Sequence, residues 1–377
     1  MTKTNTFIAA ALCGLSAIFC GAAQAQDAKL FSTPETAKKL GWIADKIPQW
    51  ASMDVLVATP EDIDLTDEEK NRLMFAAHTA ANNEAAGEYL MGQIFNPHLD
   101  RLIDSFPSLK EGAIGAQIPA DARKDLAYFA GLGMGGTRGI AANGADAHNF
   151  CIIVLPPYDA QDARDVVEAM TAIPPEDLAH IPGTAKDWKA LIAAHETQHC
   201  HHEGQNPDGT PLDISQRIAN ETMADQASFQ HYFLAYAEGN VTSPDVPAAF
   251  AAVRALRVLT DRDRSHATHI NLNPARAGSH PIGFWENMVT GMELDAIYKK
   301  IDERIARDLN MDMEEARKAA MFRPKTLYRT VAALNRENAF ADSAATQAFI
   351  SYFLISARIH APEYFGVDRP ALPGPAP

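Results

Sequence analysis

Residues 193–199 read Ala-Ala-His-Glu-Thr-Gln-His. Two imidazoles four residues apart, with a carboxylate directly after the first, narrow what this chain can build. Thr184 is placed to cap a helix that runs through Trp188, Leu191, Ile192, His195 and His199 to about Glu203. Gly204 then stops it, and Asn206-Pro207-Asp208-Gly209 makes a turn. Positions four apart lie about 40° from each other around a helix axis. Trp188, Ile192, His195 and His199 therefore share one face, apolar in its first turns and imidazole-bearing in its last. Both rings can give a nitrogen to one metal ion. Glu196, rotated by about 100° from His195, can reach a water on that ion without binding the ion itself, which is the physical content of H-E-x-x-H. The plain alternative is a surface pair in a histidine-rich stretch, since His201 and His202 follow closely.

A catalytic zinc takes three protein ligands and keeps one position open for water. The continuation H-x-x-G-x-x-H would need glycine at 202 and histidine at 205, where this chain has His202 and Gln205. A better donor lies on the next helix, expected from about Asp213 to about Glu238, where Gly239-Asn240 ends it. Ile214, Ile218, Glu221 and Asp225 share one face of it. Two carboxylates that interrupt an apolar face are costly to bury unless they are paired or metal-bound. An αα-hairpin through 204–212 would lay them against the histidines. Glu221 could then complete the ligand set, and Asp225 could accept the free ring N–H of one histidine. The alternatives are a solvated Glu/Asp pair on an ordinary helix, and His202 as a rival third ligand.

His195-Glu196-x-x-His199 followed by Asn220-Glu221-x-x-Ala224-Asp225 resembles the gluzincin metallopeptidases, to which the thermolysin family and the relatives of the prenyl-protein (CAAX) endopeptidases belong. The resemblance covers about residues 184–232. It implies a zincin-like core in which zinc is held by His195, His199 and Glu221, with Glu196 as general base and Asp225 behind a ligand. It also implies hydrolysis of peptide bonds by a zinc-bound water whose proton Glu196 takes and passes to the leaving amine. Gluzincins usually recruit a later His, Tyr or Arg for the oxyanion. Ser279-His280-Pro281 resembles their His-Pro element, which makes His280 the first choice, ahead of His266, His269 and Arg276. The run Asn149–Leu155, closed by Pro156-Pro157, precedes the motif helix as the substrate-aligning edge strand does in zincins. It is read either as that edge, open to an extended peptide, or as a plain core strand. The competing functions are a zinc-stabilised binding or structural protein without turnover, and an exported helical scaffold that binds no metal.

The rest of the chain sets the frame. Lys3 is the one charge before Asp27, residues 7–23 are apolar or small, and Ala23-Gln24-Ala25 offers an A-x-A cleavage site. Residues 1–25 thus read as a secretory signal peptide, with the mature protein expected in the periplasm or secreted. The apolar run is shorter than the roughly 20 residues a membrane span needs. Losing it removes Lys3 from a chain of formal charge −15 and leaves −16. That acidity argues against nucleic acid and anionic membrane as partners; a peptide or protein substrate is what the gluzincin resemblance implies. Cys151 and Cys200 remain after cleavage, as a disulfide or as two buried thiols.

The expected fold class is α+β, predominantly helical with a small sheet. Thr66-Asp67-Glu68-Glu69 is a capping box opening a helix to about Gly92, while Ser32-Thr33-Pro34 and Ser243-Pro244 open others. Apolar spacing marks further helices over 284–308, 313–322, 325–337 and 343–359. The glycine-rich stretch 131–139 follows a helical pattern and lacks a P-loop lysine, so a flexible loop is expected there and not a phosphate cradle. The expected organisation is a mainly helical region over 26–145, a zincin-like catalytic region over 146–300, C-terminal helices over 301–367 and a proline-rich disordered tail over 368–377.

Overall fold

The runs Asp54–Ala58 and Phe150–Val154 are apolar almost without interruption, a pattern that calls for cover on both faces of a sheet. A computed structural model describes residues 28–51, 53–80, 84–111, 118–132, 136–140, 150–156, 160–200, 212–262, 264–267 and 291–368, and supplies that cover. In chain order come β1 (Leu30–Phe31), α1 (Pro34–Leu40), α2 (Trp42–Trp50), β2 (Asp54–Ala58), α3 (Pro60–Ile63), α4 (Asp67–Ala80), α5 (Glu84–Asp104), α6 (Pro107–Glu111) and α7 (Ala120–Leu132). Then follow β3 (Gly136–Ile140), β4 (Phe150–Val154), α8 (Ala163–Thr171), α9 (Ala185–His199), α10 (Ile214–Ala237) and α11 (Val246–Thr260). The last five are α12 (Gly291–Leu309), α13 (Met313–Phe322), α14 (Pro324–Arg336), α15 (Ala344–His360) and α16 (Pro362–Phe365). Among the described residues the protein is predominantly helical, with one small mixed sheet. No helix among the described residues is long and apolar enough to cross a membrane.

The sheet runs β1-β2-β4-β3, with β1, β2 and β4 parallel and β3 antiparallel to β4. Because side chains alternate along a strand, it divides two apolar cores. Val55, Val57, Cys151 and Ile153 join the larger one, which includes α2 and the helices from α8 onward. Leu56, Ala58, Phe150, Ile152 and Val154 face the smaller one with α4, α5 and α7.

Local signals placed many ends correctly. At the start of α4, Thr66 N donates to the Glu69 carboxylate (2.9 Å) and Glu69 N to Thr66 Oγ1 (3.2 Å), and Thr33 caps α1 with Pro34 in its first turn. The helix expected to end near Gly92 differs: α5 runs on to Asp104 with Pro97 inside it. Ser243-Pro244 also falls short as a start, since α11 begins at Val246 behind Asp245.

The sheet overturns one expectation and decides between two readings. Residues 136–140 form a strand and not a loop. Gly136 is required there because a Cβ would stand 2.3 Å from the Phe129 ring. Strand β4 is interior, its edges taken by β2 and β3. It is the core strand of the two readings, and cannot accept an added peptide. The edge beside α9 belongs to β3, which pairs with no other strand among the described residues. The expected signal peptide, residues 1–25, and all but Asp368 of the expected disordered tail lie outside the described residues.

The helix α15 ends on a ring that titrates abnormally. The His360 main-chain oxygen accepts from Ala179 N (2.8 Å). Burial, the largest influence, pushes the ring down to about 4. The fold therefore prefers the neutral ring, while the unfolded chain takes up a proton near pH 6.5. Stability from this group is fully present above about pH 6.5 and declines as pH falls towards 4. The linkage is worth about 3 kcal/mol at most, and less here because the residue is only partly buried by area. Urea titrations of the wild type and His360→Gln at pH 7 and pH 5 check this. The wild type should lose more stability between the two pH values, and equal losses contradict the assignment.

Candidate metal centre

The site is built on three helices, from the last turns of α9 and the interiors of α10 and α11. Thr184 and Asp187 form the reciprocal cap of α9, Thr184 N donating to the Asp187 carboxylate (2.9 Å) and Asp187 N to Thr184 Oγ1 (3.2 Å). The same carboxylate accepts from Thr242 N and Oγ1 (2.9 and 2.7 Å), which ties the start of α9 to the segment between α10 and α11. Trp188, Leu191 and Ile192 are buried as their spacing requires. The helix ends at His199, four residues before Glu203, with Cys200 as its C-cap. Cys200 is disulfide-bonded to Cys151 of β4, so the last turn is attached to the sheet at the residue after His199.

Asp213 caps α10 with Gln216, and α10 ends at Ala237, as the sequence indicated. It packs along α9 and brings Glu221 to the two histidines. His195 Nε2 lies 3.1 Å from His199 Nε2 and 3.3 Å from Glu221 Oε2, while His199 Nε2 lies 3.5 Å from Glu221 Oε1. These three residues form a group of donors able to hold a metal ion. Asp225, fully buried, places Oδ1 2.9 Å from His195 Nδ1. The approach is close but poorly aligned with the ring N–H, so Nδ1 makes no good hydrogen bond. Its nearness still leaves Nε2 as the nitrogen facing His199 and Glu221.

The two rings titrate in opposite directions. Burial, the strongest influence on His195, and the nearby Arg254 both lower it, but contacts with Asp225 and Glu221 outweigh them and raise it to about 9. His199 is lowered, chiefly by burial.

Glu196 follows His195 directly on α9 and is tied to the sheet edge. Thr137 of β3 places its hydroxyl 2.8 Å from Glu196 Oε2 and 2.9 Å from the Glu196 main-chain oxygen. The carboxylate next to His195 is therefore held by the strand whose outer edge is unpaired among the described residues. Arg254 of α11 is the second residue that the motif reading missed. Its guanidinium donates to Glu221 through Nη2 and to Asp225 through Nη1. Thr137 carries no sequence signal, being one threonine in a glycine-rich stretch. Arg254 does carry one: it is a charge on the apolar face of α11, one turn after Phe250, the same kind of interruption that singled out Glu221 and Asp225.

The structure brings together His195, His199, Glu221, Asp225 and Glu196. His280, proposed for the oxyanion, lies outside the described residues, as do His202, His269 and Arg276. His266 ends a 3₁₀ turn, Arg264–His266, that packs against α10 and α11. No family model, curated protein or solved structure matches the chain.

Proposed function

We propose that the protein is a zinc-dependent metallopeptidase of gluzincin type, exported to the periplasm or beyond. The observation that carries this reading is the convergence of two imidazole nitrogens and one carboxylate at 3.1–3.5 Å. Ligands about 2.0–2.1 Å from a tetrahedral zinc stand about 3.3–3.4 Å from one another, so the donor set fits that ion in type and spacing. When bound, zinc supplies Lewis acidity to a water and to a carbonyl. The protein's own residues do the rest. Glu196 accepts the water's proton and returns it to the leaving amine. Thr137 fixes one Glu196 oxygen and leaves the other to work. The outer edge of β3 is the surface on which an extended peptide can add as a strand. His280 is retained as the proposed oxyanion donor on sequence grounds alone.

One observation favours a second reading, a buried polar network that needs no ion. Arg254 already pairs with both Glu221 and Asp225, and the raised His195 offers a second positive group. Metal analysis separates the two. The metallopeptidase reading predicts about one zinc per chain. It also predicts a gain of about 2.7 kcal/mol in stability at free zinc a hundred times its dissociation constant, reversed by a chelator. A chain that purifies without zinc and melts identically with and without it is the network and not the enzyme. Bound zinc without hydrolysis of a mixed peptide pool would leave the non-catalytic zinc protein instead.

A further inference from the structure

We propose that Arg254 is the positioning residue of the metal centre, bridging Glu221 to Asp225 and holding the third ligand in register with His195 and His199 before an ion arrives. The inference rests on the metal-binding part of the reading above. Arg254 is 2% exposed and permanently charged. Its planar fork engages two carboxylates one turn apart on α10, through a different nitrogen for each. A rigid fork with two acceptors sets the orientation of both, which a lysine ammonium on a flexible stem does not. Phe250, one turn earlier on α11, lies beneath the guanidinium at 5.2 Å and against the His195 ring at 5.8 Å. The same helix thus braces a ligand from each of α9 and α10.

Both Glu221 oxygens are engaged. Arg254 takes Oε2, which also lies 3.3 Å from His195 Nε2, and Oε1 lies 3.5 Å from His199 Nε2. Without the guanidinium, Glu221 and Asp225 would be two like charges sharing a nearly dry site, and such a pair swings apart or takes up a proton. The centre is therefore a three-helix device, with α11 supplying the part that fixes ligand geometry.

The test compares wild type, Arg254→Lys and Arg254→Gln as full mature chains. Zinc affinity is measured by competition with a chromophoric chelator, the visible spectrum with cobalt in place of zinc, and melting without metal. Arg254→Lys keeps the charge and loses the fork. Zinc affinity should fall about 10- to 100-fold in it, and the intense cobalt absorption of a four-coordinate site should weaken. Arg254→Gln, which loses the charge as well, should lose at least as much, and it carries the test if the lysine variant does not fold. Wild-type zinc affinity with an unchanged cobalt spectrum in a folded variant overturns the proposal, even if the melting temperature drops, because a merely structural arginine would behave that way. If the wild type takes up neither ion, the metal reading fails first and the proposal falls with it.

Discussion

Replacing Glu196 with glutamine should leave the metal in place and lower peptide hydrolysis by about 10²- to 10⁴-fold, the usual worth of a positioned acid–base group. Glutamine matches glutamate in shape and can still accept from Thr137, so the local structure has no reason to change. What it loses is the ability to take a proton. His195, His199 and Glu221 are untouched, and zinc content should equal that of the wild type. The measurement is a paired one: metal per chain by elemental analysis, and cleavage of a mixed peptide pool by mass spectrometry. Full activity in a zinc-loaded Glu196→Gln chain would remove Glu196 from the mechanism. Inactivity of the wild type as well, with zinc bound, would point to the zinc-stabilised protein without turnover.

Loss of the Cys151–Cys200 bridge should be the largest stability change available from two small substitutions. The bond closes a span of 49 residues, and on the chain-entropy account a loop of that size is worth about 4 kcal/mol. Total stabilities are on the order of 5–15 kcal/mol, so this is a large fraction. Both cysteines are buried, at 0% and 1% exposure, so a reductant reaches them only after local opening. The double variant Cys151→Ala with Cys200→Ala is the cleaner comparison, by urea unfolding at pH 7 without metal. A difference below about 1 kcal/mol would mean that the unfolded chain is already confined by other means. Because Cys200 follows His199, the variant also releases the last turn of α9 from β4. Zinc should therefore recover less stability in the variant than in the wild type if the bridge helps hold that turn in place.

These effects sort by what a linear reading can reach. Helix ends such as Thr184, Asp213 and Thr66 were legible because a cap is settled by residues three apart, with no help from the rest of the fold. The facing of His195, His199, Glu221 and Asp225 was legible because helical period fixes which side chains share a side, and because burying acids demands a partner. The ends of α5 and α11 were misplaced for the opposite reason. Gly92 and Ser243-Pro244 are local preferences worth about 1 kcal/mol or less, and packing overrode them.

That α9 presents two imidazoles in line and α10 a carboxylate pair follows from periodicity within one helix, and needs no fold to be read. Packing of distant layers is what makes these faces meet within 3.5 Å, puts β3 and not β4 at the sheet edge beside α9, and joins Cys151 to Cys200. It also decided that Arg254 and Thr137, 117 residues apart in the chain, support one site from opposite sides. Contacts between distant segments depend on how whole layers pack, and no rule of spacing along a chain carries that information.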